Sequence, residues 1–399
     1  MKVAYVVPRY GTDIRGGAET GARMFAEHLV ADRGYDVEVL TTCALDALTW
    51  RDELVAGTEV VNGVTVHRIA SEAGRHESFH PLSAQLLKDP EHVTDEQAEQ
   101  WVDWQGPKSP ALLEALVESD ADVIAFYPYL YYPTVRGLPL VRNRAIMHPA
   151  AHEEPALHLP VFSSLFEQCS GFVFQTRSER SLVNDRFHVA TTRQVLVGLG
   201  VEESAGRPEQ ARASFGLAEH PYLVYVGRVD DKKGTGILWR YFRSYKERHP
   251  NGLKLVLVGQ VVNPPADDPD IVVTGMIDDQ TKWGLLRGAM ALVAPSPYEA
   301  FSITVIEAMT AGAPVIVNAV CGPTREHCEQ SGAGMWFDGF ASFEATVHRM
   351  TTDAELHETM RRNGLRYVDA NYRWPVILDR YCAFLERAAG DPAQANGVP

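Results

Sequence analysis

The 399-residue sequence predicts an α/β protein made of two Rossmann-like, doubly wound domains that face each other across a cleft. Short, apolar, β-branched runs alternate with helical stretches along most of the chain, a pattern typical of a parallel sheet covered by helices. The pattern starts again after residue 201. The length suffices for two to three domains at ~100–200 residues each. Such folds bind ligands at the carboxyl ends of their strands.

The first half of the chain predicts one complete sheet. Val3–Val7 is an almost fully apolar run, as expected of a strand buried on both faces. An amphipathic helix is predicted from about Gly17 to Asp32, and Asn62-Gly63 within Val60–Ile69 predicts a hairpin. Further strands are predicted at Asp36–Thr41, Asp122–Phe126, Ala145–Met147, Gly171–Gln175 and Gln194–Val197.

Residues 74–122 interrupt this alternation with a polar stretch of helical character, which predicts an insertion. The second sheet follows a linker at Glu202–Pro208. Its strands are predicted at Tyr222–Val226, Leu253–Val258, Ile271–Thr274, Ala291–Ala294 and Val315–Asn318. The domains are therefore predicted at 1–201 and 202–374, with a final helix at about 375–391 and a disordered tail at 391–399.

Composition excludes several classes of protein. The 37 basic and 52 acidic side chains give a net charge of −15, which argues against a nucleic-acid partner because phosphate contacts need a basic face. Five cysteines without a C-x-x-C pair indicate neither a disulfide framework nor a zinc site, and fit a reducing cytoplasm. No apolar run approaches the ~18–20 residues of a transmembrane segment, although a peripheral membrane contact stays open.

Neither glycine-containing loop that follows the first strand of a sheet has the G-x-G-x-x-G spacing, which disfavours a dehydrogenase. After Tyr222–Val226 the chain instead carries Gly227-Arg228 and then Lys233. Gly227 permits a sharp turn at the sheet edge. Arg228 and Lys233 can converge on one anion, since arginine forks onto phosphate oxygens and lysine supplies a mobile point charge. Taken alone, a solvated charged turn explains this element equally well.

A second element joins two carboxylates, Glu299 and Glu307, across a predicted helix start that Ser302 could cap. The free N–H groups of Phe301, Ser302 and Ile303 would favour an anion there. Glu307 lies in a mostly apolar helix and needs hydrogen-bond donors, which vicinal sugar hydroxyls would supply. The alternative is a structural ion pair.

In combination, these elements resemble the retaining glycosyltransferases of family 4, which have the GT-B fold. The resemblance spans nearly the whole chain and is weakest at 74–122. Its matching residues are Gly227-Arg228 with Lys233-Gly234, Glu299-x7-Glu307 followed by Gly312-x-Pro314, the Gly198-x-Gly200-Val201 turn, and the Gly16-Gly17-Ala18-Glu19 loop. The final helix also matches, and the resemblance implies that it returns to the first domain.

The resemblance implies a role for each matching residue. Arg228 and Lys233 would hold the donor diphosphate as it leaves. Glu307 would bind the ribose hydroxyls, and Glu299 would contact the transferred sugar. The sugar and phosphates would be lined by the turn and backbone groups of Gly227, Ala300, Phe301, Ser302 and Ile303. Gly16 and Gly17 would let the first domain approach the phosphates or the acceptor.

The predicted sugar pocket departs from the family pattern at two positions. Ala300 and Ser302 replace the usual glycines, which narrows the predicted pocket and leaves the donor sugar open. After Ala145–Met147 the family often has a His-acid pair that faces the donor sugar. His152 with Glu153 fits this pair best, and His148 is the alternative.

The implied reaction is the retaining transfer of a hexose from a nucleotide-diphosphate sugar to a hydroxyl acceptor, which would be a saccharide, a small molecule or a lipid-linked glycan. No cofactor and no metal are expected, because the cationic pair would stabilise the leaving group. The rivals are a nucleotide-sugar epimerase, a phosphorylase, and a non-catalytic nucleotide-sugar-binding protein on the same fold.

The charge of the insertion at 74–122 affects which acceptors are expected. Eleven acidic against three basic side chains give residues 74–122 a net charge of −8, more than half of the total. If this segment lies beside the acceptor, it disfavours polyanionic acceptors and anionic membranes, and favours a neutral or amino-bearing acceptor.

Overall fold

A computed structural model of the chain describes residues 1–14 and 16–390. The chain divides into a first unit, Met1–Gly198 with the chain from Ile377 onward, and a second unit, Leu199–Val376. The predicted tail at 391–399 lies outside the described residues. Each unit contains its own largely parallel sheet, so the predicted α/β fold with two parallel-sheet domains is confirmed.

The first unit contains an eight-stranded sheet in the order β3-β4-β2-β1-β5-β6-β7-β8. Its strands are β1 (Lys2–Val6), β2 (Asp36–Thr42), β3 (Gly57–Val61), β4 (Val64–Ile69), β5 (Val123–Phe126), β6 (Ala145–Met147), β7 (Gly171–Phe174) and β8 (Arg193–Leu196). Its helices before the second unit are α1 (Gly17–Arg33), α2 (Phe79–Leu86), α3 (Asp95–Gln105), α4 (Pro110–Glu118), α5 (Tyr132–Gly137), α6 (Pro160–Glu167) and α7 (Arg177–Phe187).

The antiparallel β3–β4 pair is the predicted hairpin, with Val61 opposite Val64. Asn62 and Gly63 both have positive φ angles, as the two central residues of a type I′ hairpin turn require. The other ladders of this sheet are parallel, with Val3 aligned to Val37 and to Val123 on either side. The carboxyl ends of these strands therefore share one edge.

The segment 74–122 forms helices α2, α3 and α4. Trp101 of α3 packs against Phe79 and Phe162, with ring centroids 5.5 and 6.4 Å away. Arg136 of α5 binds both Glu99 and Asp103 of α3, which neutralises part of the acidic charge of the segment.

The second unit contains a six-stranded, fully parallel sheet in the order β11-β10-β9-β12-β13-β14. Its strands are β9 (Tyr222–Val226), β10 (Lys254–Val258), β11 (Ile271–Gly275), β12 (Ala291–Ala294), β13 (Val315–Asn318) and β14 (Gly334–Phe337). Its helices are α8 (Pro208–Ser214), α9 (Thr235–Arg248), α10 (Asp279–Gly288), α11 (Ile303–Thr310), α12 (Gly322–Ser331), α13 (Phe340–Thr352) and α14 (Ala354–Asn371).

The last helix, α15 (Trp374–Gly390), begins in the second unit and ends in the first. The hydroxyl of Tyr381 lies 2.8 Å from that of Tyr5 in β1, and Asp379 pairs with Arg33 of α1 at 2.5 Å. Within the described chain, no helix combines the length and the apolar character needed to cross a membrane.

Candidate functional site

The turn after β9 requires glycine. Gly227 has a φ of 152°, and its N–H donates to the Val258 carbonyl at 2.9 Å. A Cβ at this position would lie 2.8 Å from the Tyr225 hydroxyl, which itself donates to the Arg228 carbonyl at 2.7 Å. Tyr225 thus fixes the backbone from which the Arg228 side chain projects.

The predicted charged residues of the second unit form two ion pairs. The Arg228 guanidinium lies 2.9 Å from Asp230, and the Lys233 ammonium lies 2.8 Å from Glu299. Three of these charges act on the Tyr225 hydroxyl: burial raises the pKa of Tyr225 most, Glu299 and Asp230 raise it further, and Arg228 lowers it. The structure therefore brings the Gly-Arg-Lys element and the first glutamate together.

The start of α11 differs from the prediction in one respect. Ser302 occupies the position before the helix, but its side chain caps no helical N–H and its φ is 66°. In the described chain the N–H groups of Ile303 and Thr304 have no acceptor, so they remain available to a ligand. Left-handed backbone explains why glycine suits this position better than serine does.

We expect Ser302→Gly to raise the free energy of unfolding by about 0.5–1 kcal/mol, because relief of the left-handed strain exceeds the entropy that glycine adds to the unfolded chain. Ala300→Gly is the matched control, since the φ of Ala300 is not positive. That substitution should lower stability by about 0.5–1 kcal/mol. Chemical denaturation measures both, and equal losses would contradict the role assigned to the backbone at 302.

The loop before α11 is held by a buried histidine that the sequence reasoning missed. His327 of α12 is 1% exposed, its Nε2–H donates to the Phe301 carbonyl at 3.0 Å, and its Nδ1 lies 3.1 Å from the Tyr367 hydroxyl. Burial lowers the pKa of His327 to about 4, so the ring is neutral at pH 7.

Glu307, in contrast, has a protein partner. Its Oε1 accepts from the Lys282 ammonium of α10 at 2.9 Å, and the residue is 9% exposed. Burial raises the pKa of the Glu307 carboxyl, and the Lys282 charge opposes that shift. Lys282 was missed because a single lysine in α10 gives no local signal. The ion pair occupies one carboxylate oxygen, and Oε2 accepts no hydrogen bond from the described residues.

In the first unit, the imidazole of His152 forms an ion pair with Glu154. Its Nε2 lies 3.7 Å from Glu154, which also accepts from the Tyr129 hydroxyl at 2.8 Å. Glu153, the acid of the predicted His-acid pair, is 63% exposed at its side chain and lies 2.5 Å from His158. The role of His152 toward a donor sugar stays a prediction.

His148, the alternative, lies in the core. It is 1% exposed, stacks on Tyr127 with centroids 4.8 Å apart, and its Nε2 is 2.9 Å from the Tyr381 hydroxyl. Burial lowers the pKa of His148 to about 3, so it is neutral. In this position it joins β6 to α15.

The predicted glycine loop surrounds a buried carboxylate. A Cβ on Gly16 would overlap the carboxylate of Glu19, whereas Gly17 has open space around its Cα. Glu19 is 8% exposed and pairs with Arg9, the residue that follows β1 by three positions. Glycine at 16 is therefore explained by its close approach to Glu19.

A second buried carboxylate supports the loop that carries His152. Glu179 is 1% exposed and accepts from the N–H groups of Ala151 at 2.9 Å and Gln175 at 2.7 Å. Burial raises its pKa to about 8, while these backbone donors pull the pKa down. The only local signal for it is its place three residues after the capping Thr176.

The known proteins that this chain matches are described as glycosyltransferases. Residues 208–367 match the family model described as "Glycosyl transferases group 1". An uncharacterized glycosyltransferase of Methanocaldococcus jannaschii is 24% identical, over 94% of this chain and 96% of that protein. A D-inositol 3-phosphate glycosyltransferase of Salinispora arenicola is 25% identical, but over 66% of this chain and only 64% of its own length.

Solved structures share the fold of the whole chain. Sucrose-phosphate synthase from Thermosynechococcus elongatus superimposes with a TM-score of 0.71 at 17% identity, covering 98% of this chain and 100% of that one. Anabaena HepE in complex with UDP and glucose gives a TM-score of 0.67 at 15% identity, covering 97% and 100%. With the matched domain, these likenesses confirm the predicted resemblance to the family-4 glycosyltransferases and the GT-B fold, and residues 208–367 form a domain of the group 1 glycosyltransferase family.

Proposed function

We propose that the protein transfers a hexose, with retention of anomeric configuration and without a metal, from a nucleotide-diphosphate sugar to a hydroxyl acceptor. The observation that carries this proposal is the pairing of Lys233 with Glu299 beside Arg228, at the carboxyl ends of β9 and β12. Cations for a diphosphate and a carboxylate for a sugar hydroxyl thereby lie together, next to the unpaired N–H groups that begin α11.

In the proposed step, the bond between the anomeric carbon and the diphosphate oxygen breaks and its electron pair stays on the diphosphate. Arg228 and Lys233 stabilise the charge that develops there. The acceptor oxygen bonds to the same face of the sugar, and its proton passes to a phosphate oxygen. Glu299 accepts a hydrogen bond from a hydroxyl of the transferred sugar.

The second glutamate fits recognition of the nucleotide. Lys282 donates to one oxygen of the Glu307 carboxyl, and the other oxygen is left to accept from the ribose hydroxyls. This arrangement combines the two readings of Glu307, as an ion-paired residue and as a ligand of ribose.

Nucleotide release from UDP-, GDP- and ADP-sugars, with a panel of hydroxyl acceptors, tests the reaction. UDP-glucose is the first donor to try, since the HepE neighbour is named as a complex with UDP and glucose. We expect an acceptor-dependent product whose anomeric coupling constant by NMR matches that of the donor, and unchanged rates in a chelator. Inverted product or loss of activity in the chelator would refute the mechanism.

Two of the three rivals, the epimerase and the non-catalytic binding protein, predict different results in the same assay. An epimerase would convert the labelled donor to its epimer without any acceptor. A non-catalytic binding protein would be stabilised by the nucleotide-sugar, by about 2.7 kcal/mol at 100 times Kd, yet release no nucleotide with any acceptor. The intact set of Arg228, Lys233, Glu299 and Glu307 favours the transferase.

A further inference from the structure

We infer that Arg75 and Tyr131 of the first unit bind an anionic group, a phosphate monoester or a carboxylate, carried by the hydroxyl acceptor. This inference rests on the proposed function, because it names the acceptor's chemical class. It concerns a group of side chains to which neither the motifs nor the matched domain at 208–367 assigns a role.

The two residues lie at the ligand-binding edge of the first sheet. Trp50 follows β2, Arg75 follows β4 and Tyr131 follows β5, so all three stand in loops at the carboxyl ends of neighbouring parallel strands. The fully buried Trp50 ring joins them. The Arg75 guanidinium is 5.9 Å from its centroid, and the Tyr131 ring meets it edge-on at 5.0 Å.

Arg75 is a partly buried cation without a counter-ion. Its guanidinium also lies 4.9 Å from the Phe79 ring, and its Nε makes one long hydrogen bond, 3.4 Å, to the Gln105 carbonyl. No carboxylate of the described chain lies within ion-pair distance of it, and burial lowers its pKa. Both terminal nitrogens therefore keep their donors for a ligand.

Tyr131 supplies a second unused polar group. Its ring packs against Trp50, but its hydroxyl makes no hydrogen bond to any described residue. Burial raises the pKa of Tyr131 to about 12, with Glu19 adding to the shift and Arg75 opposing it. The hydroxyl is thus a neutral donor within electrostatic range of the Arg75 charge.

An oxyanion matches these unused donors. A guanidinium packed between rings has lost part of its hydration, and a bidentate phosphate or carboxylate restores both the hydrogen bonds and the opposite charge. Arg9, by comparison, lies on the same Trp50 ring at 5.4 Å but is already neutralised by Glu19. Arg75 is left as the cation that a ligand must balance.

The negative charge of the insertion at 74–122 does not prevent the binding of one anionic group at Arg75. Its acids are partly neutralised within the first unit: Glu99 and Asp103 pair with Arg136, and Glu91 pairs with His158 and Arg186. The preference against polyanionic acceptors stays a prediction, and a single anionic group can be bound at Arg75. The inferred acceptor therefore carries one anionic group, in place of the neutral or amino-bearing acceptor that the charge of the insertion predicts.

Binding to the full chain tests the inference without turnover. Thermal shift and calorimetry compare glucose, glucose 6-phosphate, glucuronate and inorganic phosphate with the wild-type protein, Arg75→Ala, Arg75→Lys and Tyr131→Phe. Arg51→Ala is the matched control, because Arg51 is an exposed arginine next to Trp50. We expect the anionic probes to bind, Arg75→Ala to weaken them about 10- to 100-fold, and Arg75→Lys to recover part of the loss.

The probes separate the sources of the anion. Tighter binding of glucose 6-phosphate than of glucuronate identifies a phosphate, and the reverse identifies a carboxylate; either supports the inference if it depends on Arg75. Equal binding of glucose and both anions, or equal losses in Arg75→Ala and Arg51→Ala, would overturn it. Arg75-dependent anion binding in a protein that transfers no sugar would refute the proposed function alone.

Discussion

Replacement of Lys233 by alanine is expected to lower kcat for sugar transfer by about 10²–10³-fold, the usual loss when one preorganised group that stabilises developing negative charge is removed. Lys233 lies 2.8 Å from Glu299, so its ammonium is fixed before the donor binds. As the diphosphate leaves, its charge grows, and the interaction is stronger in the transition state than with the bound donor.

Lys232→Ala is the matched control for this prediction. Lys232 is the adjacent lysine, with an exposed side chain on the same short turn, and it forms no ion pair with the described residues. Its removal should leave kcat within about twofold, since surface charges far from the reacting atoms contribute little. Steady-state kinetics with saturating acceptor measure both variants.

Arg228→Ala should give a loss of similar size, and the Arg228→Ala/Lys233→Ala protein should lose less than the product of the two, because both groups stabilise one leaving group. A rise in KM at unchanged kcat would show that the lysine binds donor and transition state equally. That result would remove Lys233 from the catalytic step while leaving it in the donor site.

The parallel strands were predictable because each is a short, apolar, β-branched run with its own local signal. Apart from the first hairpin strand, which begins at Gly57, the predicted strand boundaries agree with the structure to within one residue. The strand β14 was missed. It lies at the sheet edge, and its Trp336 is 40% exposed, so the sequence there lacks the continuous apolar character of a central strand.

The partners of the site residues were less predictable than the residues themselves. Lys282 meets Glu307, and His327 meets the Phe301 carbonyl, across 25 and 26 residues of chain. Such contacts depend on how helices pack on a sheet, which periodicity does not encode. The contact of His152 with Glu154 is likewise not marked by any pattern in the sequence.

The Lys282–Glu307 pair leads to the second large prediction. Lys282→Met should lower the free energy of unfolding by about 3–5 kcal/mol at pH 8, because it leaves the Glu307 charge buried without a counter-ion. Arg361→Met is the surface control in the same unit. Its side chain is 44% exposed and pairs with Glu358 three residues earlier, so its loss should change stability by no more than about 0.5 kcal/mol.

The deficit of Lys282→Met should depend on pH in a defined direction. Burial already raises the pKa of Glu307, and loss of the ammonium removes the group that opposes this shift. The folded variant then holds a proton that the unfolded chain, with a glutamate pKa of about 4.5, has released. Its stability is greatest below pH 4.5 and declines as the pH rises through the folded pKa, so the deficit is smaller at pH 5.5 than at pH 8.

Glu307→Gln in the Lys282→Met background completes the test. The neutral amide of this substitution has no charge to leave uncompensated, so the double variant should regain most of the lost stability at pH 8 and lose the pH dependence. Urea unfolding of the full chain at the two pH values measures all four proteins. Equal small losses for Lys282→Met and Arg361→Met, with no dependence on pH, would mean that Glu307 holds no buried charge, and the ribose-binding oxygen proposed for it would lose its physical basis.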